Sequence, residues 1–412
     1  MKTNSSIAGL LLCTVVFAWG CTPYMKANSA LSRGNYPEAI TYFKEYIATH
    51  PDAKKPVEKL GYAYLKAEQF DNAIEQFEKV LSADPESSLA ALYLGQAYLE
   101  NDNLEKALEA WRPFSKDTES PAGKEIKRLL TLLEIANAKK MAADAVQGEK
   151  ALATESLKPN SYAIFYFEDL SPNKDMRAVQ KALASMVISD LSQIESINVV
   201  ERVRLQALLD EMQLGQTGLI DLATAPKAGR LLGAEKLVVG SLNPADKLRV
   251  NTSTASTGEG KVLSSFSLAD DLERFFVIQK EIVYNIVDAN NIKLSSAEKA
   301  IIDNYHTKNF EAFSMYGKGL DALDSGDWAA AKNFFDRAYE LDPNFMLAKD
   351  GGDSSPEAAV SMQAVSVSAL SAVAADMAEK AVEAATAAEA EAEAAAEAAE
   401  AEAAGGEGGG GH

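Results

Sequence analysis

The residue types that carry catalysis occur in this chain, but their spacing assembles no reactive constellation. His50, His306 and His412 lie far apart in sequence with no ligand-like interval, which argues against a zinc site. Gly229, Gly233 and Gly240 do not compose a dinucleotide fingerprint, and no Gly-Lys-Ser/Thr follows a strand to cradle a phosphate. These glycines read instead as points where a helix packs closely on a strand. Glu168 and Asp169 form a carboxylate pair at the end of an apolar run, but Ser171-Pro172-Asn173 follows, so the pair reads as a strand-to-loop exit. No nucleophile beside a base emerges, and no enzyme, metal or cofactor is expected.

Cys21 is the residue with a chemical role to play. Met1-Lys2-Thr3 precedes an apolar run from Ile7 to Trp19, and Gly20-Cys21 follows. One positive charge ahead of about a dozen apolar residues is a secretory signal, too short for a comfortable membrane span. A small residue directly before the cysteine resembles the bacterial lipoprotein signal, which implies acylation of Cys21 as the mature N-terminus. Ala18 stands where such signals usually carry Leu, and Thr22 rather than Asp follows the cysteine, which implies sorting to the outer membrane. A plain secretory signal with an incidental cysteine is the alternative. The only other cysteine, Cys13, lies within the signal, so the mature chain has no partner for a disulfide.

The elements that follow are repetitive. Ala39, Ala73 and Ala107 are spaced by 34 residues, as are Phe43, Phe77 and Trp111, and Tyr36, Phe70 and Leu104. Gly61 and Gly95, Tyr64 and Tyr98, and Pro51 and Pro85 share the interval. Each unit reads as two helices and a turn, with small residues where the helices approach and aromatics filling the space between hairpins. This pattern resembles the tetratricopeptide repeat. The first unit carries Ala27 where Gly is usual, and the third has Glu119 in place of its closing proline, as capping repeats do. The resemblance implies a concave face lined by first-helix residues, here Glu58, Tyr62, Leu65 and Lys66 in the second unit and Leu92, Gln96, Leu99 and Glu100 in the third. A groove for a partner protein and an ordinary solvated face are equally weighted readings. From Pro121 to about Leu157 the pattern stays helical, with a stripe at Ile126, Leu129, Leu130 and Leu133.

Near Lys158 the character changes. Tyr162 to Phe167 reads as a buried strand, Ile197 to Val200 as a second and Lys236 to Ser241 as a third, with helices between. Asp221 is a candidate cap for the helix that buries Leu231 and Leu232. Leu248–Ser253 and Val262–Phe266 form a hairpin around Gly258-Glu259-Gly260, and a last helix carries Phe275, Ile278, Ile282 and Ile286. Strands alternating with helices predict an α/β sandwich. The segments Ile164-Phe165-Tyr166-Phe167-Glu168-Asp169, Val199-Val200-Glu201-Arg202 and Leu231 to Ser241 resemble the curli secretion channel family, CsgG, over about Ser161 to Thr307. That resemblance implies outer-membrane lipoproteins whose founding members form ring-shaped pores for fibre subunits. Those members carry two long membrane hairpins, one after the Gly-Ser of the third strand and one after the later hairpin. Here only Leu242 to Asp246 and Ser267 to Asp271 occupy those places, and a membrane strand alone takes about 9–11 residues. The expectation is the family's soluble domain without its pore.

Gly319, Ala322, Gly326, Trp328, Ala331, Phe335, Ala338 and Pro343 then repeat the earlier offsets as an isolated hairpin, whose open face must pack on the central domain or a neighbouring subunit. The Ala/Glu-rich remainder holds few large apolar residues and reads as solvated helix or disorder, with a short helix within Ser355–Val382. The whole is an α+β multidomain chain: signal 1–20, three repeats 21–120, capping helix 121–158, α/β domain 159–308, lone hairpin 309–348 and acidic tail 349–412. The formal charge of −20 argues against nucleic-acid binding. The expected partners are a protein in the repeat groove, the membrane through the lipid on Cys21, and further copies of the chain through the central domain. A secretion pore and a cryptic enzyme in the α/β domain are the alternatives.

Overall fold

The computed structural model describes residues 22–117, 119–148, 157–173, 176–213, 225–356, 372–381 and 384. Cys21 and Asp221 lie outside them. The chain divides into two compact units, Met1–Ala90 and Ala91–His412.

In the first unit, two hairpins are built from α1 (Pro23–Ser32), α2 (Tyr36–Thr49), α3 (Lys54–Lys66) and α4 (Phe70–Ala83). The starts of α1 and α2 are set by Thr22 and Asn35, whose side chains accept backbone N–H groups of the first turn, each with a proline just inside. The close approach inferred from Gly61 is real: a Cβ there would lie 2.8 Å from the Phe77 ring. The turn between paired helices needs left-handed backbone, and Gly34 (φ 72°) supplies it at low cost. One repeat later the same place is taken by Glu68 (φ 57°), and Asp102 (φ 54°) continues the series in the second unit. The repeat geometry thus overrides residue preference.

The second unit contains the remainder of α5 (Ser88–Glu100), then α6 (Leu104–Trp111) and the long α7 (Pro121–Gln147). A Cβ at Gly95 would strike Trp111 at 2.1 Å, and the Trp111 indole donates to the Ala91 and Leu92 carbonyls at 3.0 and 3.2 Å. Its sheet has the order β3-β1-β4-β5-β6. β1 (Lys158–Ile164) runs parallel to β3 (Asn198–Val199) and to β4 (Ala234–Pro244), and β2 (Glu168–Asp169) adds a short parallel pairing to β4. β4, β5 (Leu248–Ser256) and β6 (Val262–Asp270) form an antiparallel meander, each strand longer than its apolar run predicts. Alternation along the strands separates two cores. Tyr162, Ile164, Val238 and Val250 face α8 (Arg177–Leu191) and α11 (Phe275–Ala289). Ala163, Phe165, Leu237 and Val239 face α9 (Arg202–Glu211), α10 (Ala225–Leu232) and the second half of α7, whose Ala138 and Ala142 join that core. The capping helix is therefore also a layer of the central domain. Of the three glycines, Gly229 is a helix-on-strand contact, where a Cβ would meet Leu237 at 2.6 Å, whereas a Cβ at Gly240 would meet the Asn251 carbonyl of the adjacent strand at 2.2 Å and Gly233 (φ 67°) supplies left-handed backbone after α10.

After α12 (Ser296–Ile302), the lone hairpin of α13 (Phe310–Ser325) and α14 (Trp328–Leu341) covers the outer side of α8. Phe313, Tyr316, Leu320, Phe335 and Phe345 belong to the same hydrophobic core as α8 and α11. Of the two surfaces expected to receive it, the hairpin uses the central domain. α15 (Met346–Ser354) then packs on α14 and α7, so the ordered hairpin region runs past the boundary expected at 348. Residues 372–381 are helical with Ala374, Met377, Ala378 and Ala381 buried, in line with the short helix expected within Ser355–Val382.

The tightest contact in this assembly is at Gly317, where a Cβ would sit 2.0 Å from the Ala178 carbonyl oxygen on α8. Backbone cannot swing aside as a side chain can. Gly317→Ala is expected to cost at least about 2 kcal/mol, read as a lowered denaturant midpoint.

Candidate functional site

The expected repeat face is only partly open. On α3, Glu58, Tyr62 and Lys66 keep solvent access, whereas Leu65 is buried. The Lys66 ammonium lies 5.5 Å from the Tyr62 ring centroid. Tyr62 also lines an open groove between α1 and α3 with Asn28, Leu31 and Lys59, and Lys59 donates to Asn28 Oδ1 at 2.6 Å. On α5, Leu92, Gln96 and Leu99 are buried and only Glu100 is partly exposed. The reason is legible afterwards in Ser88–Glu100 itself, which is apolar around its whole circumference, as helices buried on every side are.

Sequence spacing gave no sign of a second feature, a set of charges sunk between the central domain and the terminal hairpin. Asp324, near the end of α13, accepts from Arg202 Nη1 with both oxygens, at 2.7 and 2.8 Å, and from Lys181 Nζ at 2.7 Å. Arg202 Nη1 also reaches the Tyr166 hydroxyl at 3.1 Å, and burial pushes that hydroxyl's pKa well up. A companion cluster lies on the other end of α8. Asp190, 1 % exposed, accepts from Lys280 Nζ at 2.6 Å and Gln279 Nε2 at 2.7 Å, and pairs with His306 Nε2 at 2.9 Å. Burial raises the Asp190 carboxyl, but the hydrogen bonds from His306, Lys280 and Gln279 outweigh it and hold it below its ordinary 3.8. His306 is thus a structural partner of a carboxylate, and among the described residues no group of His, Cys, Asp and Glu is arranged to hold a metal. Asp169 also has a structural task, accepting the backbone N–H groups of Ser171 and Met176 at 2.7 and 2.9 Å ahead of α8.

Beside the Asp324 cluster lies a cavity of about 450 Å³ walled by α7, α9, α13 and α15. Glu134 of α7 enters it half-buried, and burial, with Glu201 nearby, raises its pKa to about 7. A carboxyl whose folded pKa lies above the unfolded 4.5 favours folding while protonated, and that contribution is lost as pH rises towards 7. The loss amounts to roughly 2–3 kcal/mol. Glu134→Gln is expected to flatten this decline, so that denaturation midpoints at about pH 5 and about pH 8 differ less than in the unaltered protein.

Comparison with known proteins agrees with this architecture. Residues 131–270 match the family described as curli production assembly/transport component CsgG, and residues 24–55 and 58–111 match the tetratricopeptide repeat. The CsgG match begins within α7 and ends with β6, so the half of α7 that joins the central core belongs to it. No curated protein matches the chain. Among solved structures, a tetratricopeptide repeat protein from Parabacteroides merdae is 12 % identical, over 81 % of this chain and 97 % of its own, with a TM-score of 0.27. Yeast Tom70 is 16 % identical, over 79 % of this chain and 63 % of its own, with a TM-score of 0.26. By its family matches, the chain carries tetratricopeptide repeats over 24–111 followed by a domain of the curli production assembly/transport component CsgG family over 131–270.

Proposed function

We propose that this protein is a non-enzymatic, lipid-anchored scaffold at the periplasmic face of a bacterial outer membrane. Its repeats hold a partner protein, and its CsgG-type domain docks on envelope or curli-type secretion machinery, alone or as a ring of copies. The observation that carries the binding role is the groove between α1 and α3, where Tyr62 and Lys59 line a surface between first helices of adjacent repeats. The reading without a pore is supported by the meander. Only Ala245, Asp246 and Lys247 join β4 to β5, and a short helical turn at Leu272–Arg274 links β6 to α11, where the pore-forming members of the family carry membrane hairpins.

The anchor is tested by labelling with palmitate in a bacterial host. Incorporation into the full chain, abolished in Cys21→Ala, is the expected result, and label retained by that variant ends the claim. The scaffold role is tested by cross-linking the full chain in envelope fractions. A Tyr62→Ala, Lys59→Ala variant that captures the same proteins with equal yield would refute a partner in the α1–α3 groove. Steady channel conductance in planar bilayers would instead establish the pore reading.

A further inference from the structure

The cavity beside Asp324 holds more acceptors than its own donors satisfy. Asp324 is taken by Arg202 and Lys181, and Asp350 on α15 is taken by Lys127 at 2.8 Å. That leaves Glu134, Glu201 and Asp210 against Lys139 as the remaining charges of the lining. Burial lowers the Lys139 pKa, with Asp210 opposing, and burial raises that of Asp210, with the Gln206 hydrogen bond opposing. By number, three carboxylates against one ammonium, the remaining lining is acidic, with Glu134 half-buried and Glu201 and Asp210 at the exposed rim.

An independent observation points to an absent donor. Gln206 is 7 % exposed and lines the cavity. Its Nε2 donates to Asp210 Oδ1 at 2.9 Å, which fixes the amide orientation because a carboxylate accepts and does not donate. Its Oε1 is then buried with no hydrogen-bond partner. A buried acceptor left unsatisfied is unfavourable, and a ligand N–H would satisfy it. The lining also carries apolar side chains, Val203 on α9 and Leu320 and Leu323 on α13. Charged and polar groups beside apolar side chains, within this volume, suit a small amphipathic ligand.

We propose that this cavity binds a primary alkylammonium group, its charge facing Glu134 and Asp210, an N–H given to Gln206 Oε1, and its carbon chain laid on Val203, Leu320 and Leu323. Two sources share that chemistry, a free aliphatic amine and the lysine side chain of a partner protein. Neither involves the repeat groove, so the proposal stands or falls apart from the scaffold reading.

The test is titration calorimetry on the full chain at about pH 8 with n-hexylamine, acetyl-lysine methylamide and, as the uncharged control, n-hexanol. The amines are expected to bind and the alcohol to bind at least about tenfold more weakly. Glu134→Gln and Gln206→Met are each expected to weaken amine binding about tenfold. Thermal melting of both variants establishes that they remain folded. Lowering the pH below about 7 is expected to weaken binding as Glu134 protonates. Stronger binding of the lysine derivative assigns the site to a partner's side chain, and stronger binding of hexylamine assigns it to a free amine. Absence of binding by both amines overturns the proposal. So does hexanol binding equal to hexylamine, or full affinity retained by both folded variants.

Discussion

Asp324→Ala is expected to lower the stability of the second unit by about 3–5 kcal/mol. The carboxylate is the shared partner of Lys181, whose side chain is 5 % exposed, and of Arg202, at 13 %. Removing it leaves two buried cations: among the described residues Lys181 retains Asp321 at 2.8 Å, but Arg202 retains only the Tyr166 hydroxyl. The penalty arises from the stranded charges rather than from the strength of the original pair, and this distinction can be measured. A triple variant, Asp324→Leu with Lys181→Met and Arg202→Met, removes all three charges and is expected to recover most of the lost stability. Chemical denaturation followed by far-UV circular dichroism reads both quantities. If the single variant loses less than about 1 kcal/mol, the cluster is better solvated than its burial implies.

Asp190→Ala should have a comparable effect for a related reason. Lys280 and Gln279 are both buried and both converge on Asp190, with His306 at the rim. The substitution strands a buried ammonium, at a cost of about 3–5 kcal/mol. Here a pH dependence accompanies the loss. The folded pKa of Asp190 is depressed, so the carboxylate stabilises the fold above the ordinary 3.8 and its contribution is lost as pH falls through the lower folded value. The unaltered protein should therefore lose stability on acidification from about pH 5 downwards, and Asp190→Ala should lose less over the same interval. Asp190→Asn keeps an acceptor for Gln279 and is expected to fall between the two. Equal acid sensitivity of all three proteins would remove Asp190 from the explanation.

The two kinds of feature were not equally visible in the sequence. The hairpins are local: Gly61 and Phe77, Gly95 and Trp111, and Gly319 and Phe335 are each separated by the same short interval, and each glycine lies within 2.8 Å of its aromatic once a Cβ is placed on it. A contact that recurs at constant spacing leaves a periodic trace. The sheet was legible in part, because Tyr162 to Phe167 and Lys236 to Ser241 are apolar runs, although β1 begins earlier, at Lys158, and ends at Ile164, and the continuation of β6 past Phe266 through Ser267 to Asp270 left no such trace. The charged clusters have no such trace. Arg202 and Asp324 are remote in sequence, as are Asp190 and His306, and a charged residue on an amphipathic helix ordinarily marks its solvated side. The docking of α13 on α8 brings Asp324 to Lys181 and Arg202, and the packing of α11 on α8 brings Lys280 and Gln279 to Asp190. The open or closed state of the repeat face was likewise decided by tertiary burial. Tyr62 and Gln96 occupy matching places in successive repeats, yet one lines a groove and the other is sealed.

The shared core of α8, α11 and the terminal hairpin has a consequence for how the chain is made. As the polypeptide emerges from a ribosome or a translocation channel, the repeats can form early from neighbours in sequence, since their contacts close short loops. The α/β unit cannot. Until α13 and α14 arrive, Phe275, Ile278 and Ile282 lack the aromatic cover that Phe313 and Phe335 bring to their core, and Lys181 and Arg202 lack Asp324. A half-made chain would therefore present an adhesive apolar surface beside an already folded array, the situation in which a holdase chaperone is most needed. Truncation before Phe310 should leave that surface exposed for good and yield aggregate rather than a smaller folded domain.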